Sequence, residues 1–243
     1  MFSLFRRSSS SPESQVKRTP DRPAGYEASL LVDVVFAKTE ALRPEDVPSY
    51  TGAERTMFAV LLAERLTKSK PLRVLDFGGA CGFHHMAADL IGVPLRWAVV
   101  ETPAMAEKAK TFSSASLQFF TSIADATRWT GSIDLMFSSS ALQYLDEPDV
   151  CLSELVALRA PLMVWSRLPM SNGAARQELQ TSRLSENGPG PLPAGFEDCE
   201  VSYSKTYLSA DAFLTAHMGY RLILKSGDLG SAGYVFLRED LSL

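Results

Sequence analysis

Residues 73–82, R-V-L-D-F-G-G-A-C-G, constrain the fold of this chain more than any other segment. An apolar run predicts a buried strand at residues 72–77, and this strand carries an acidic residue, Asp76, near its end. A glycine-rich turn follows, and a helix is predicted from Phe83. Glycines admit backbone angles that are closed to other residues and let a ligand approach the main chain closely. The segment therefore predicts a strand–turn–helix corner that binds a ligand.

The order of the acid and the glycines, D-x-G-G-x-x-G, separates two kinds of nucleotide ligand. Dinucleotide-binding turns follow the pattern G-x-G-x-x-G and seat a pyrophosphate. A carboxylate on the strand end would repel a pyrophosphate, whereas it suits a cationic ligand. A corner without any ligand is the alternative, because a single glycine motif is a weak signal.

A second predicted strand, at residues 95–101, also ends in an acidic residue, Glu101. Glu101 follows Gly78 at close to the spacing of about 20 residues that is expected for a ribose-binding carboxylate. One carboxylate can accept hydrogen bonds from both hydroxyls of a ribose. The alternative is a surface glutamate that opens the next helix and interacts favourably with its dipole.

A third segment, residues 132–145 (S-I-D-L-M-F-S-S-S-A-L-Q-Y-L), predicts a strand at 133–138, a polar turn and a helix. The three segments, in this order, resemble the motifs of class I S-adenosylmethionine (SAM)-dependent methyltransferases, and the resemblance covers residues 71–237. The V-L-D-F-G-G opening and the S-S-x-x-Q-Y-L segment further resemble a group of bacterial proteins assigned as methyltransferases, partly associated with surface-polysaccharide gene regions.

The alternation of strands and helices after residue 71 predicts a parallel sheet with helices on both faces. The resemblance implies more: a Rossmann-like class I methyltransferase fold, with a mostly parallel seven-stranded sheet, an antiparallel C-terminal strand and an N-terminal helical extension. It also implies SAM as cofactor and methyl transfer to oxygen or nitrogen of a small molecule, with a sugar or sugar-linked intermediate as the acceptor class.

Several predicted strand ends carry polar or acidic side chains, and parallel sheets bind ligands at the carboxyl ends of their strands. The resemblance assigns cofactor contacts to the residues at these ends and in the turns that follow them. These residues are Asp76, Gly78, Gly79, Ala80, Gly82, Glu101, Thr102, Ser122, Ile123, Ser138 and Ser139.

Five residues are candidates for catalysis or acceptor binding, and each has a structural alternative. His85 can face the cofactor carboxylate or the acceptor, with a pKa lowered by the helix N-terminus, or it can pack with His84 on that helix. Tyr144 can border the methyl group or pack as a core aromatic. Arg167 can hold an anionic acceptor group or pair with a surface acid. Tyr203 and Tyr207 either line the acceptor pocket or anchor a loop.

Composition excludes several other functions. The chain has 243 residues and fits one α/β domain with an extension. Its net charge of −4 disfavours a nucleic-acid partner, and no apolar run approaches the 18 or so residues of a membrane span. Three widely spaced cysteines and two adjacent histidines do not predict a metal site. We therefore expect a cytoplasmic enzyme that acts on a small molecule.

The chain divides into three predicted regions. Residues 1–23 form a basic, serine-rich tail that is predicted to be disordered. Residues 24–70 form a helical cap, with helices predicted at 26–42 and 53–66 and Thr51 as N-cap of the second; the cap either covers the open sheet edge or forms a homodimer face. Residues 71–243 form the SAM-binding domain. Its 167–207 insertion is predicted to be irregular and to lie on the substrate side, and a closing hairpin follows.

Two other functions remain as alternatives. The first is a protein that binds SAM without transferring its methyl group, because obvious bases are scarce. The second is an NAD-dependent oxidoreductase, which the position of Asp76 disfavours.

Overall fold

The structure is a computed structural model that describes residues 28–242. The predicted tail at 1–23 and the first residues of the predicted cap, 24–27, lie outside the described residues. The helices are α1 (Ser29–Glu40), α2 (Ala53–Thr67), α3 (Phe83–Asp89), α4 (Pro103–Ala109), α5 (Ile123–Thr130), α6 (Pro148–Ala157) and α7 (Ala210–Ala216). The strands are β1 (Leu72–Phe77), β2 (Leu95–Val100), β3 (Leu117–Phe120), β4 (Leu135–Ser139), β5 (Leu162–Leu168), β6 (Met170–Ser171), β7 (Arg176–Arg183), β8 (Glu200–Ser209), β9 (Tyr220–Ser226) and β10 (Ala232–Arg238).

The main sheet has seven strands in the order β3-β2-β1-β4-β5-β10-β9. Strands β1 to β5 are parallel to one another, because a helix carries the chain back between successive strands. Strand β10 runs antiparallel to both β5 and β9, because only a short turn separates it from β9. The predicted fold, a mostly parallel seven-stranded sheet with an antiparallel C-terminal strand, is confirmed.

Each face of the sheet carries its own hydrophobic core. Successive residues of a strand point to opposite faces, so Val74 and Leu75 of β1 belong to different clusters. The first cluster contains residues of α1, α2, α3 and α4, and the second contains residues of α5, α6 and α7. Helices therefore cover both faces of the sheet, as predicted.

The two N-terminal helices pack against the first cluster. Val32 and Val35 of α1 and Val60 of α2 are buried there. Helix α2 begins after Gly52, which has φ +100°, and the carboxylate of Glu54 accepts the Gly52 N–H at 3.1 Å. The prediction of Thr51 as N-cap is wrong, because the left-handed glycine, one residue later, occupies the cap position.

The 167–207 insertion is predicted to be irregular, but much of it forms paired strands. Strands β7 and β8 pair antiparallel from Arg176↔Tyr207 to Arg183↔Glu200, and the short β6 pairs with the end of β8. Strand β7 reads R-Q-E-L-Q-T-S-R and is mostly exposed, so it lacks the apolar alternation by which a strand is recognised. Between β7 and β8, residues 187–199 contain no helix or strand, so this part of the insertion is irregular, as predicted for the whole insertion.

None of the helices within residues 28–242 is long and apolar enough to cross a membrane.

Candidate functional site

A cavity of 940 Å³ lies at the carboxyl ends of β1, β2, β4 and β5. The turn after β1, the residues after β2 and those at the end of β4 line it, together with residues 50–52 before α2. Residues 186–190, which we call the insertion loop, also contribute to the lining. The volume falls within the roughly 300–1,000 Å³ that small-molecule sites occupy. The strand ends are also where parallel sheets bind ligands.

The glycine turn presents main chain to the cavity. Gly78 has φ +74°, and a Cβ added there would lie 2.1 Å from the Cβ of Ala141. Ala80 also adopts a left-handed backbone, with φ +48°. Gly78, Gly79 and Ala80 all line the cavity, whereas Gly82 does not. Three of the four predicted turn residues thus offer a close main-chain surface to a ligand.

The carboxylate of Glu101 joins the second strand end to the glycine turn. One oxygen accepts the N–H of Ala80 at 2.9 Å, and the other accepts the N–H of Thr102 at 2.9 Å. Burial raises the pKa of the Glu101 carboxyl, and the two backbone hydrogen bonds oppose that rise. Both Glu101 and Thr102 line the cavity, and Thr102 also caps α4 through its hydroxyl.

Asp76 lies beneath the turn and does not line the cavity. Its side chain is fully buried, and its carboxylate accepts hydrogen bonds from the Trp97 Nε1–H at 3.1 Å and from His84 Nδ1 at 3.0 Å. A Cβ at Gly79 would lie 2.2 Å from Asp76 Oδ2, so the turn rests directly on this carboxylate. Asp76 therefore contacts the groups that form the cavity.

The two adjacent histidines face different surroundings. His84 lines the cavity, and its ring packs edge-on against Phe137. His85 is absent from the cavity lining; its Nε2 lies 3.3 Å from Ser116 Oγ, and its ring packs edge-on against Trp97. Burial lowers the pKa of His85. The candidate catalytic residue His85 is thus kept from the cavity by its packing, and His84 takes the place expected for it.

At the end of β3, the predicted residues Ser122 and Ile123 lie outside the cavity lining, and their neighbour Thr121 lines it instead. Ser122 caps α5: its hydroxyl accepts the Asp125 N–H at 3.1 Å and donates to the Asp125 carboxylate at 2.8 Å. The capping geometry occupies the side chain that the prediction assigned to the ligand.

At the end of β4, adjacent serines divide between the core and the cavity. Ser138 is fully buried and donates to Phe77 O at 2.9 Å, which ties β4 to β1. Ser139 and Ser140 line the cavity, and Ser140 has φ +59°. Of the two predicted serines, only Ser139 can reach a ligand there.

Arg167 extends β5 into the cavity and is held at both its backbone and its side chain. It has φ +56°, and its Nε donates to Ser139 Oγ at 3.0 Å. The side-chain amide of the buried Gln143 donates to Ser140 Oγ at 2.7 Å and contacts Arg167 O at 3.4 Å. These contacts fix a guanidinium beside the cavity.

Two tyrosines form an aromatic wall. The rings of Tyr144 and Tyr203 meet edge to face with centroids 5.3 Å apart, and both line the cavity. Gln180 Nε2 donates to the Tyr203 hydroxyl at 3.3 Å, so the β7–β8 hairpin positions this ring. Tyr207 lies outside the lining, where Arg176 stacks over its ring at 4.0 Å.

Sequence reasoning placed the whole 167–207 insertion on the substrate side, but it did not single out the insertion loop within it or the segment before α2. The insertion loop is anchored to α1, because the buried Lys38 donates from Nζ to Ser185 O at 2.6 Å and Gly188 packs against Val35. Tyr50 lies beneath Gly190. The N-G-P-G-P sequence predicts a loop, but no local signal indicates which helix it contacts.

No metal site is found within the described range, 28–242, where no three His, Cys, Asp or Glu residues are grouped to hold an ion.

The strand order, the glycine turn and the cavity at the strand ends define the Rossmann-like fold of the class I methyltransferases. No protein-family model and no curated protein matches the sequence. Solved structures do match. The CcbJ methyltransferase from Streptomyces caelestis is 13% identical, with a TM-score of 0.54 over 87% of this chain and 98% of its own. An amino pentose methyltransferase from Micromonospora echinaspora, solved with SAM bound, is 15% identical, with a TM-score of 0.51 over 76% of this chain and 91% of its own.

Proposed function

We propose that this chain binds SAM in the cavity and transfers its methyl group to an oxygen or nitrogen of a small molecule. The observation that carries the proposal is the Glu101 carboxylate, which lines the cavity while it holds the N–H groups of Ala80 and Thr102. Each carboxylate oxygen keeps a further lone pair, so the pair of oxygens suits the two hydroxyls of a ribose. The fold, which is that of class I methyltransferases, supports the same ligand.

The residues of the cofactor end divide into two groups. Gly78, Gly79, Ala80, Thr102 and Ser139 line the cavity and are proposed to contact SAM directly. The other predicted residues, Asp76, Gly82, Ser122, Ile123 and Ser138, are proposed to act on the ligand only through the neighbours that they hold.

The acceptor is proposed to be a sugar or a sugar-linked molecule. At the end of the cavity near β4 and β5, the rings of Tyr144 and Tyr203 lie beside the polar side chains of Ser139, Asp146 and Arg167. Flat rings next to hydroxyl, carboxylate and guanidinium groups suit a small ring with many hydroxyls. The amino pentose methyltransferase among the structural neighbours supports this class.

Bound in this cavity, SAM would supply an electrophilic methyl group for the oxygen or nitrogen of the acceptor. The chain's contribution is to align the acceptor with the methyl group and to exclude water. Arg167, fixed by Ser139, is proposed to orient the acceptor, and Tyr144 to border the methyl group.

The test is calorimetric titration with SAM, S-adenosylhomocysteine (SAH) and NAD. We expect SAM and SAH to bind at micromolar concentration and NAD not to bind. Glu101→Ala should weaken SAH about 10- to 100-fold, because a charge-assisted pair of hydrogen bonds is lost. Glu107→Ala, which alters an exposed acid outside the cavity, is the control and should leave affinity unchanged.

Other outcomes would favour the alternatives. Binding of NAD but not of SAM would replace the proposal with an oxidoreductase. Binding of SAM without transfer of labelled methyl to any acceptor in a sugar screen would favour a SAM-binding protein. Binding of neither ligand would leave the glycine turn as a structural corner.

Two further points stay predictions. The N-terminal helices are proposed to form a homodimer face, since α2 leaves Phe58 and Leu61 about half exposed, at 50% and 52%, one turn apart. Light scattering measures this directly. A cytoplasmic location and the absence of a nucleic-acid partner are likewise expected from composition.

A further inference from the structure

Asp76 and His84 form a buried hydrogen-bonded pair beside the cavity. Asp76 is fully buried, and both of its oxygens lie within hydrogen-bond distance of His84 Nδ1, at 3.1 and 3.0 Å. Trp97 Nε1 donates to the same carboxylate at 3.1 Å. A carboxylate that accepts from Nδ1–H fixes the orientation of an imidazole and leaves Nε2 for another partner.

The second nitrogen of His84, Nε2, differs from Nδ1 in its surroundings. The ring lines the cavity, and within residues 28–242 no group hydrogen bonds with Nε2. Phe83 and Phe137 pack edge-on against the ring, at 5.9 and 4.9 Å between centroids, and limit its rotation. His84 is therefore oriented by three neighbours on one side and faces the cavity on the other.

The charges of the cavity lining indicate what His84 would bind. Glu101, Asp146 and Glu186 contribute carboxylates, whereas only Arg167 and His84 among the described lining residues can carry positive charge. Arg167 lies at the end of β5 and is tied to Ser139 of β4. His84 is the basic group next to the glycine turn, because it opens α3 two residues after Gly82.

The positions of Glu101 and His84 indicate which end of a bound ligand would lie beside each of them. Glu101 follows β2, the glycine turn follows β1, and the His84 ring packs on Phe137 of β4, so the three lie in order along the sheet. A ligand whose ribose is held by Glu101 and which crosses the turn extends its other end towards His84. In SAM, that end carries an amino group and a carboxylate.

We propose that His84, protonated on both ring nitrogens, donates from Nε2–H to the carboxylate at the amino-acid end of SAM, and that Asp76 is the positioning residue that accepts Nδ1–H and orients the ring. This inference rests on the proposed function. It assigns Asp76 an effect on the cofactor that passes through His84, which explains how an acid absent from the cavity lining can influence a ligand within it.

The test varies the residue and the ligand together. His84→Asn retains an amide near the position of Nδ1, so it can still donate to Asp76, but it lacks Nε2. His84→Gln places an amide near the position of Nε2 instead. The ligands are SAH and the SAH analogue that lacks only its carboxylate. His85→Gln is the matched control, because His85 is the adjacent histidine and lies outside the cavity lining.

We expect His84→Asn to weaken SAH about 10- to 100-fold, as for loss of a charge-assisted hydrogen bond. The carboxylate-free analogue should bind the wild type and His84→Asn equally. His84→Gln should retain part of the SAH affinity, and His85→Gln all of it. Circular dichroism and thermal unfolding confirm that each variant is folded, and if His84→Asn does not fold, the same comparison is read from His84→Gln.

Two results would overturn the inference while leaving the proposed function intact. In one, His84→Asn weakens SAH and the analogue by the same factor, which would make His84 a support of the glycine turn. In the other, it weakens neither ligand. If the wild type binds neither SAH nor the analogue, the proposed function itself fails and the inference fails with it.

Discussion

Gly78 permits a sharp test of the glycine turn, because Gly92 provides a control with nearly the same φ angle. The φ angles are +74° at Gly78 and +76° at Gly92. A Cβ at Gly92 would meet nothing within 4 Å, whereas a Cβ at Gly78 would lie 2.1 Å from the Cβ and 3.4 Å from the Cα of Ala141. The two alanine substitutions therefore share their backbone strain and differ in one contact.

The shared strain is about 1–2 kcal/mol, the cost of a left-handed backbone for an L-residue. Only Gly78→Ala adds a steric overlap, and this overlap cannot be relieved by a side-chain rotation, because alanine has none. The backbone at Ala141 or the turn must move, which costs about 1–3 kcal/mol in overpacked sites. We expect the free energy of unfolding to fall by that additional amount in Gly78→Ala relative to Gly92→Ala.

The assay is urea denaturation followed by circular dichroism, with SAH titration of the folded variants. Ala141→Gly in the Gly78→Ala background removes the overlapping Cβ, and we expect it to recover most of the additional loss. SAH affinity should fall in Gly78→Ala and stay unchanged in Gly92→Ala, because only the first changes the cavity lining. Equal destabilisation of the two variants, or no recovery in the double variant, would refute the packing of the turn on Ala141.

Two further predictions concern the insertion loop and the second core. Lys38→Met removes the buried donor to Ser185 O, so we expect the free energy of unfolding measured by urea denaturation to fall by about 1–3 kcal/mol. The control, Lys110→Met, removes an exposed ion pair and should lower it by less than about 0.5 kcal/mol. Equal losses in the two variants would contradict a stabilising role for the Lys38 contact. His217 directly follows α7, and its ring accepts a hydrogen bond from Trp165 Nε1 at 2.9 Å. Burial lowers the pKa of His217 to about 4 from 6.5. The folded state therefore has its full stability above about pH 6.5, where the ring is neutral in both states, and it loses about 3 kcal/mol as the pH falls towards 4. His217→Gln should abolish this part of the pH dependence of urea denaturation, and an unchanged dependence would assign it to other groups.

The fold was predictable because its signals are local. The apolar strand, the glycines and the helix that follow one another around Asp76 require no knowledge of distant residues, and the same holds for the strand that ends at Glu101. The sheet order then follows from a family resemblance that these motifs carry. The strand ends also predicted the edge of the sheet at which the cavity lies.

The assignment between His84 and His85 could not be made from sequence. The two residues are adjacent on one short helix, and side chains of adjacent helical residues point about 100° apart. Which of them lines the cavity depends on how the helix packs. Here the ring of His84 packs against Phe137, and the ring of His85 packs against Trp97. Sequence predicted a histidine at this helix start and could not predict its face.

The β7–β8 hairpin escaped prediction for a different reason. A strand is recognised by alternation of apolar and polar residues, and β7 has no such alternation. Leu179 is its one apolar residue and is 65% exposed, and most of the polar residues around it are exposed as well. Its stability comes from pairing with β8, which begins after a further segment without regular structure. Two adjacent residues of β8, Tyr203, which is buried, and Ser204, tie the hairpin to the cavity.

The two ends of the cavity therefore differ in how the chain encodes them. Most of the residues proposed to contact the cofactor directly lie within a few positions of Asp76 or Glu101, with Ser139 of β4 as an exception. The end proposed for the acceptor is assembled by long-range contacts such as Lys38 to Ser185, which lie 147 positions apart. Substitutions in α1 or in the insertion loop can thus reshape the acceptor end while the glycine turn stays intact. It follows that the motifs that predict the cofactor carry little information about the acceptor, and that acceptor screens are best read against variants of the insertion loop.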